Sequence, residues 1–284
     1  MTITANARIA GVMGWPIGHS LSPRLHGYWL DHHGIDGAYV PMAVAPESAR
    51  EAIRALPLLG FRGCNVTVPL KELALEAVDE ATTAARRIGA VNTIVVEAEG
   101  RLRGDNTDAF GFLANIQAVR PDWRAEGGRH VVLGAGGAAR AVVVALLDQG
   151  ADTVRLANRT RARAETLARD VDGPVEVVAW DDRHAALEGV ATLVNTTTLG
   201  MVGMEALDLD LAALPGDAVV NDIVYTPLRT DLLTRAAARG NPTVDGLGML
   251  LHQARPGFEC WFGVRPEVTP AMRAFVLESL SADG

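Results

Sequence analysis

The chain has 284 residues, 49% of them hydrophobic and 21% charged, the balance of a globular protein with enough core for one or two domains. A formal charge of −8 argues against the basic footprint of a nucleic-acid or anionic-membrane protein. Two cysteines, Cys64 and Cys260, are too few for a disulfide framework or a four-thiolate zinc site.

In chain order, Ile9 to Met13 is a short apolar run closed by Gly14 and Pro16 and reads as a strand. Pro23 to Gly34 has helical spacing with a glycine stop. Tyr39 to Val44 reads as a strand, Pro46 to Leu59 as a helix, and Gly63 to Val68 as a strand ended by Pro69. Lys71 to Ile88, rich in alanine and glutamate, reads as one helix. Ala90 to Val96 is β-branched and returns through Arg101 to Gly104 as a hairpin, with a helix over Ala109–Ile116. A polar stretch, Pro121 to Arg129, precedes a fresh βαβ series. Its strands are Val131–Leu133, Thr153–Ala157, Val175–Val178, Thr192–Asn195, Ala218–Asp222 and Thr243–Val244. Its helices are Ala138–Gln149, Arg161–Val171 and Thr230–Arg239, and the tail from Gly248 to Leu280 again has helical spacing. Alternation of this kind predicts an α/β fold. Met1–Thr4 has no basic region leading into an apolar run, so no secretory signal is expected. The richest apolar stretch, Ala138 to Leu147, is broken by Arg140 and falls short of the ~18–20 residues that span a bilayer. A cytoplasmic protein without membrane or nucleic-acid partners is the expectation.

The βαβ series carries a chemical signal. Gly134-Ala135-Gly136-Gly137-Ala138-Ala139 is a G-x-G-x-x-A turn between a strand and a helix. Gly134 suits a tight turn, Gly136 a close approach of backbone to pyrophosphate, and Ala139 close helix–strand packing. The helix amino terminus then offers free N–H groups to phosphate. The next strand ends at Asn158-Arg159-Thr160-Arg161-Ala162-Arg163, with no carboxylate until Glu165. NAD sites place an acid near this point, whereas a guanidinium pairs with a 2′-phosphate. Arginines at a helix start oppose its dipole unless an anion is present, so the expected cofactor is NADP(H).

Seven segments, in one order, resemble the shikimate/quinate dehydrogenase family. They are Gly18-His19-Ser20-Leu21-Ser22-Pro23, Asn65-Val66-Thr67-Val68-Pro69-Leu70-Lys71-Glu72, Gly89-Ala90-Val91-Asn92-Thr93 and Gly104-Asp105-Asn106-Thr107-Asp108. The others are Asn195 to Met201, Asp222-Ile223-Val224-Tyr225-Thr226-Pro227 and Gly246 to Gln253. The resemblance implies an α/β substrate-binding domain, 1–110 completed by 248–284, and a Rossmann-type NADP-binding domain, 111–247, flanking a cleft. It implies NADPH-dependent reversible reduction of 3-dehydroshikimate to shikimate, a step of chorismate and aromatic amino-acid biosynthesis.

By the same resemblance Ser20 and Ser22, with Tyr225, hold the substrate carboxylate, and Asn65, Thr67, Asn92 and Gln253 bind ring hydroxyls. Lys71 and Asp108 become the catalytic pair. The cofactor contacts become Gly134, Ala135, Gly136, Gly137, Ala138, Asn158, Arg159, Thr160, Arg163, Thr196, Met201, Ile223, Gly246 and Met249. Read from the residues alone, Lys71 is a solvated lysine at a helix start, Asp108 a helix cap, and Asp105 an equal candidate. Ser20 and Ser22 equally fit a turn before Pro23. His19, His26, His32 and His33 lack partners at ligand spacing, so no metal site is expected. Phe258 and Trp261 read as core or interdomain packing.

Three positions depart from the family pattern: Ala254-Arg255-Pro256-Gly257-Phe258 after Gln253, Thr198, and Gly27. Pro256 removes a helical donor and is expected to kink or end its helix. Two alternatives stand beside the main reading: a quinate/shikimate dehydrogenase with broader substrate or cofactor use, and a non-catalytic NADP- or metabolite-binding module. A monomer or homodimer is expected.

Overall fold

The computed structural model describes residues 3–282, so the amino-terminal reading on Met1–Thr4 lies partly outside the described residues. By compactness the chain divides into two units, Met1–Thr107 with Leu251–Gly284, and Asp108–Leu250.

The first unit runs β1 (Arg8–Gly14), α1 (Ser22–His32), β2 (Gly37–Ala43), α2 (Ala49–Ala55), β3 (Phe61–Val66), α3 (Lys71–Ala77), β4 (Glu80–Ala81), α4 (Thr83–Ile88), β5 (Thr93–Val96) and β6 (Leu102–Asp105). Its sheet has the order β2-β1-β3-β5-β6-β4. β1 lies parallel to β2 and β3, while β5 is antiparallel to β3 and β6. Ile53, Leu56, Leu70, Ala74 and Ile94 form one fully buried cluster of this unit. Each of its leucine and isoleucine side chains contributes roughly 1.5–3 kcal/mol on leaving water.

The second unit begins with α5 (Asp108–Val119), then β7 (Arg129–Leu133), α6 (Gly137–Asp148), β8 (Thr153–Ala157), α7 (Arg161–Asp170), β9 (Val175–Val178), β10 (Thr192–Asn195), β11 (Val219–Asp222), α8 (Asp231–Ala238) and β12 (Thr243–Val244). All six strands are parallel, in the order β12-β11-β10-β7-β8-β9. The near-continuous apolar runs of β7, β10 and β11 follow from burial on both faces of a parallel sheet. Strand order reverses between β7 and β10, and open α/β sheets bind ligands outside the carboxyl ends of their strands at such a switch point. The division between units falls within α9 (Gly246–Phe262), and α10 (Pro270–Ala282) ends the chain's described part.

Two sequence expectations need correction. The single helix over Lys71–Ile88 is instead α3, β4 and α4. Asp79 accepts the Leu102 N–H at 2.7 Å and its own N–H reaches Leu102 O at 2.9 Å. This pulls Glu80 and Ala81 into an edge pairing with Arg103 and Gly104. Thr82 then restarts the helix by capping the Ala85 N–H. A non-local ladder has overruled local helix propensity. The helix expected over Pro46–Leu59 is a 3-10 turn, Pro46–Ser48, followed by α2. Pro57 lies two residues beyond the end of α2 and lacks the N–H that would continue it. The helical tail is divided into α9 and α10, and α9 continues through Pro256 to Phe262 rather than ending there. Gly257 is needed there, because the Trp261 indole lies 2.8 Å from where a β-carbon would stand. Phe258 and Trp261 are core side chains of the first unit, 0% and 2% exposed.

Candidate active site

In the first unit three of the four expected polyol-binding residues, Asn65, Asn92 and Gln253, lie in one buried network. Asn65, at the carboxyl end of β3, sends its Nδ2 to Asn92 O at 3.0 Å and to Thr93 Oγ1 at 3.1 Å. Its Oδ1 accepts from the Tyr39 hydroxyl at 2.6 Å. Asn92 Oδ1 accepts from the Thr93 hydroxyl at 2.9 Å and from the Thr107 N–H at 2.9 Å. Thr107 Oγ1 lies 3.4 Å, and Asn92 Nδ2 3.5 Å, from Gln253 Oε1. Asn65, Asn92, Thr93, Thr107 and Gln253 are all buried. Buried amides cost free energy unless satisfied, so these side chains are locked by one another.

Around this network lie the other expected residues of the unit. Thr67 follows β3, with its N–H on Met13 O, and Lys71 opens α3, half-buried. Ser22 is the first residue of α1, and its N–H reaches Ser20 Oγ at 3.3 Å. Ser20 and Ser22 are thus held in one tight turn. Asp105, the rival to Asp108 on sequence alone, accepts from the Thr82 hydroxyl at 2.6 Å and the Asn106 N–H at 2.7 Å. Those contacts give Asp105 a turn-holding role. Asp108 opens α5 as the first residue of the second unit and is buried.

In the second unit Gly134 follows β7 at the switch point, and Thr196 follows β10 beside it. Gly134 has φ +108°, and a β-carbon there would stand 2.5 Å from Thr196 Oγ1. Only glycine fits on both counts. The Thr196 hydroxyl donates to Leu133 O at 2.6 Å and so ties the two strand ends together. Beyond the turn, Gly136 caps α6 without any side-chain bond to its first N–H groups, and the first turn carries no acid. No atom lies within 4 Å of where a β-carbon of Gly136 or Gly137 would be. This open cradle of backbone donors fits a pyrophosphate.

After β8, Asn158 Nδ2 donates to Thr160 O at 2.8 Å, shaping the turn before α7. α7 also starts without a side-chain cap or an acid in its first turn. Arg159 is 62% exposed and pairs with Glu205 at 3.7 Å, and Arg163 is exposed. Ion pairs this exposed contribute only roughly 0–1 kcal/mol, so Glu205 holds the guanidinium only loosely. Met201 is exposed, Ile223 and Tyr225 half-buried, and Gly246 and Met249 buried in this same unit. Burial raises the Tyr225 phenol above its ordinary pKa, which keeps it a proton-bearing donor.

The sequence reading did not single out Tyr39, Thr93 or Thr107, nor Asp222. Asp222 ends β11, wholly buried, and accepts from Asn195 Nδ2, the Thr230 hydroxyl and the Val224 N–H. Burial pushes its pKa up to about 6 against those three donors. The folded pKa therefore lies above the unfolded value of about 3.9, so the folded state holds the proton longer. Asp222's contribution to stability is fully present at low pH and is lost as pH rises from about 4 to about 6, in total about 3 kcal/mol. Asp222→Asn is expected to remove this part of the pH dependence in denaturant titrations between pH 4 and 7. An unchanged slope across that window would show that Asp222 does not titrate there.

Among the described residues no cluster of three or more His, Cys, Asp or Glu side chains could hold a metal ion, and no helix is long and apolar enough to cross a membrane.

Comparison with known proteins bears on both halves. A family model described as the shikimate dehydrogenase substrate binding domain matches residues 12–94. A second, shikimate / quinate 5-dehydrogenase, matches residues 119–201, and a third, the shikimate 5′-dehydrogenase C-terminal domain, matches residues 246–274. The chain is 63% identical over 275 residues to the shikimate dehydrogenase (NADP(+)) of Paramagnetospirillum magneticum, covering 97% of this chain and 100% of that one. A crystal structure of a shikimate dehydrogenase in complex with NADP+ superposes with a TM-score of 0.88 at 33% identity, covering 98% of each chain. A shikimate 5-dehydrogenase from Thermus thermophilus, in complex with NADP(H) and shikimate, gives 0.83 at 36% identity over 97% of this chain and 99% of that one.

Proposed function

The chain belongs to the shikimate dehydrogenase family, and from that premise we propose how its residues carry the NADPH-dependent reduction of 3-dehydroshikimate to shikimate. The observation that carries this reading is likeness along the whole chain to an NADP(+)-dependent relative. The reaction is an oxidoreduction of a secondary alcohol and serves chorismate and aromatic amino-acid biosynthesis. With the reading go a cytoplasmic location and a monomeric or homodimeric state.

NADPH, when bound, supplies a hydride to the substrate's ketone carbon. Gly134, Ala135, Gly136, Gly137 and Ala138 would hold its pyrophosphate on the uncapped start of α6, which is favoured by the dipole and free N–H groups. Asn158, Arg159, Thr160 and Arg163 would hold the 2′-phosphate, with no carboxylate at the start of α7 to repel it. Thr196, Met201, Ile223, Gly246 and Met249 complete the cofactor contacts in this reading. The second unit is thus assigned to the dinucleotide and the first to the cyclohexene acid.

In the first unit Ser20 and Ser22 would donate to the substrate carboxylate, aided by Tyr225 from the second. Two hydroxyl donors satisfy a carboxylate without burying a cation beside it. Asn65, Thr67, Asn92 and Gln253 would read the ring hydroxyls. Their rigidity supports discrimination, since a site built from fixed buried amides penalises a ligand that leaves them unpaired. Lys71 would give its proton to the oxygen that becomes the alcohol, and Asp108 would fix the lysine's charge and direction. The test is a comparison of rates with two acids and two dinucleotides, in which shikimate with NADP+ gives the highest kcat/KM.

A further inference from the structure

We propose that Tyr39 is a positioning residue for substrate recognition, fixing the Asn65 amide so that Asn65 meets the substrate only as a hydrogen-bond acceptor. This rests on the reading that Asn65 touches a ring hydroxyl.

Donor accounting leads to that polarity. An amide nitrogen carries two hydrogens and its oxygen two lone pairs. Asn92 O, a backbone carbonyl 3.0 Å from Asn65 Nδ2, can only accept, so the nitrogen end must face it. The second hydrogen goes to Thr93 Oγ1 at 3.1 Å. That hydroxyl is able to accept because its own proton goes to Asn92 Oδ1 at 2.9 Å. Both Asn65 hydrogens are therefore committed inside the protein. Its oxygen faces Tyr39, whose hydroxyl donates at 2.6 Å and takes one lone pair. One lone pair is left for a ligand.

Tyr39 is itself held firmly. It is 8% exposed, lies face to face with the His26 imidazole at 3.9 Å and 3°, and leans on Trp261 at 6.0 Å. His26 is wholly buried, and neither ring nitrogen has a hydrogen-bond partner. Burial holds its pKa down to about 3, so the ring remains an uncharged platform. Burial likewise keeps the phenol protonated, the Ser22 hydroxyl acting in the opposite direction. The Tyr39 hydroxyl therefore keeps its proton and donates it to Asn65 Oδ1 across the working pH range.

A lone acceptor accepts a hydroxyl and repels a carbonyl or ether oxygen. Asn65 thus selects a ring position that stays a hydroxyl in both substrate and product, and the ketone under reduction does not lie against it. Tyr39 acts chiefly through Asn65, its hydroxyl also meeting that of Ser22.

The experiment is a double-mutant cycle of Tyr39→Phe and Asn65→Ala, read as KM and kcat for shikimate, KM for NADP+ and thermal midpoint. Losing one neutral hydrogen bond corresponds to a roughly 3- to 10-fold effect, so Tyr39→Phe is expected to raise the shikimate KM by that factor. Its kcat and NADP+ KM should stay within about 2-fold, as expected when only ground-state binding is lost. In the Asn65→Ala background the same change should have a clearly smaller effect, the part that remains being its contact with the Ser22 hydroxyl. Independent, additive effects, or a joint loss of kcat and NADP+ affinity, would overturn the role of Tyr39 while leaving Asn65 as a contact. An unchanged shikimate KM in Asn65→Ala alone would instead remove the underlying reading.

Discussion

Lys71→Ala is expected to lower kcat for shikimate oxidation by roughly 10²- to 10⁴-fold, the usual contribution of a positioned general acid–base group. NADP+ KM should change little, because the dinucleotide contacts lie elsewhere in the sequence. The variant should also fold, for two reasons. Lys71 is the first residue of α3, where its cation opposes the helix dipole, and alanine has the better helix propensity. A lysine kept at a helix start against both preferences needs a reason outside the helix. Steady-state rates with thermal midpoints alongside decide it. Near-normal turnover would return Lys71 to a solvated surface lysine.

The second large effect concerns which dinucleotide is used. Arg159→Ser combined with Arg163→Ala is expected to raise the NADP+ KM about 10- to 100-fold, as a charge-assisted hydrogen bond contributes about 1.5–3 kcal/mol. The NAD+ KM should be nearly unchanged, since NAD+ has no 2′-phosphate for a guanidinium to meet. Arg159 pairs with the exposed Glu205 at 3.7 Å, so little stability is lost with it. Equal losses with both dinucleotides would place these arginines away from the 2′-phosphate and move the specificity argument to another element.

What could be read from the sequence follows from the range of the forces involved. β7, the glycine turn, α6 and β8 were legible because their signals are local: an apolar run, glycines, helical spacing, then a β-branched strand. The division of α3, β4 and α4 was not. Its cause is a pairing with β6 some twenty residues onward, and alanine and glutamate gave no hint of it. Pro256 misled in the opposite direction. Helix propensity counts its missing donor, but the packing of Phe258, Trp261 and Phe262 in the core holds α9 together regardless. Burial of an apolar face commonly outweighs one lost backbone bond.

The site divides in the same way. Family motifs pointed to Asn65, Asn92 and Gln253, and the structure brings these three into one hydrogen-bonded network. Tyr39 and His26 sit on a strand and a helix whose patterns are ordinary, and nothing local marks their ring stack. Only contact across 26 residues joins Tyr39 to Asn65. Asp222 lay inside a quoted motif, yet its burial without a cation became visible only once β10, β11 and the start of α8 were folded around it.

The central claim, that this chain oxidises shikimate with NADP+, is tested most directly by measuring kcat/KM for shikimate and quinate, each with NADP+ and NAD+. The account predicts that shikimate with NADP+ exceeds the other three combinations by at least about 10-fold, the weight of roughly one well-placed charged contact. A preference for quinate with NAD+, or ligand binding without turnover in any combination, would contradict it.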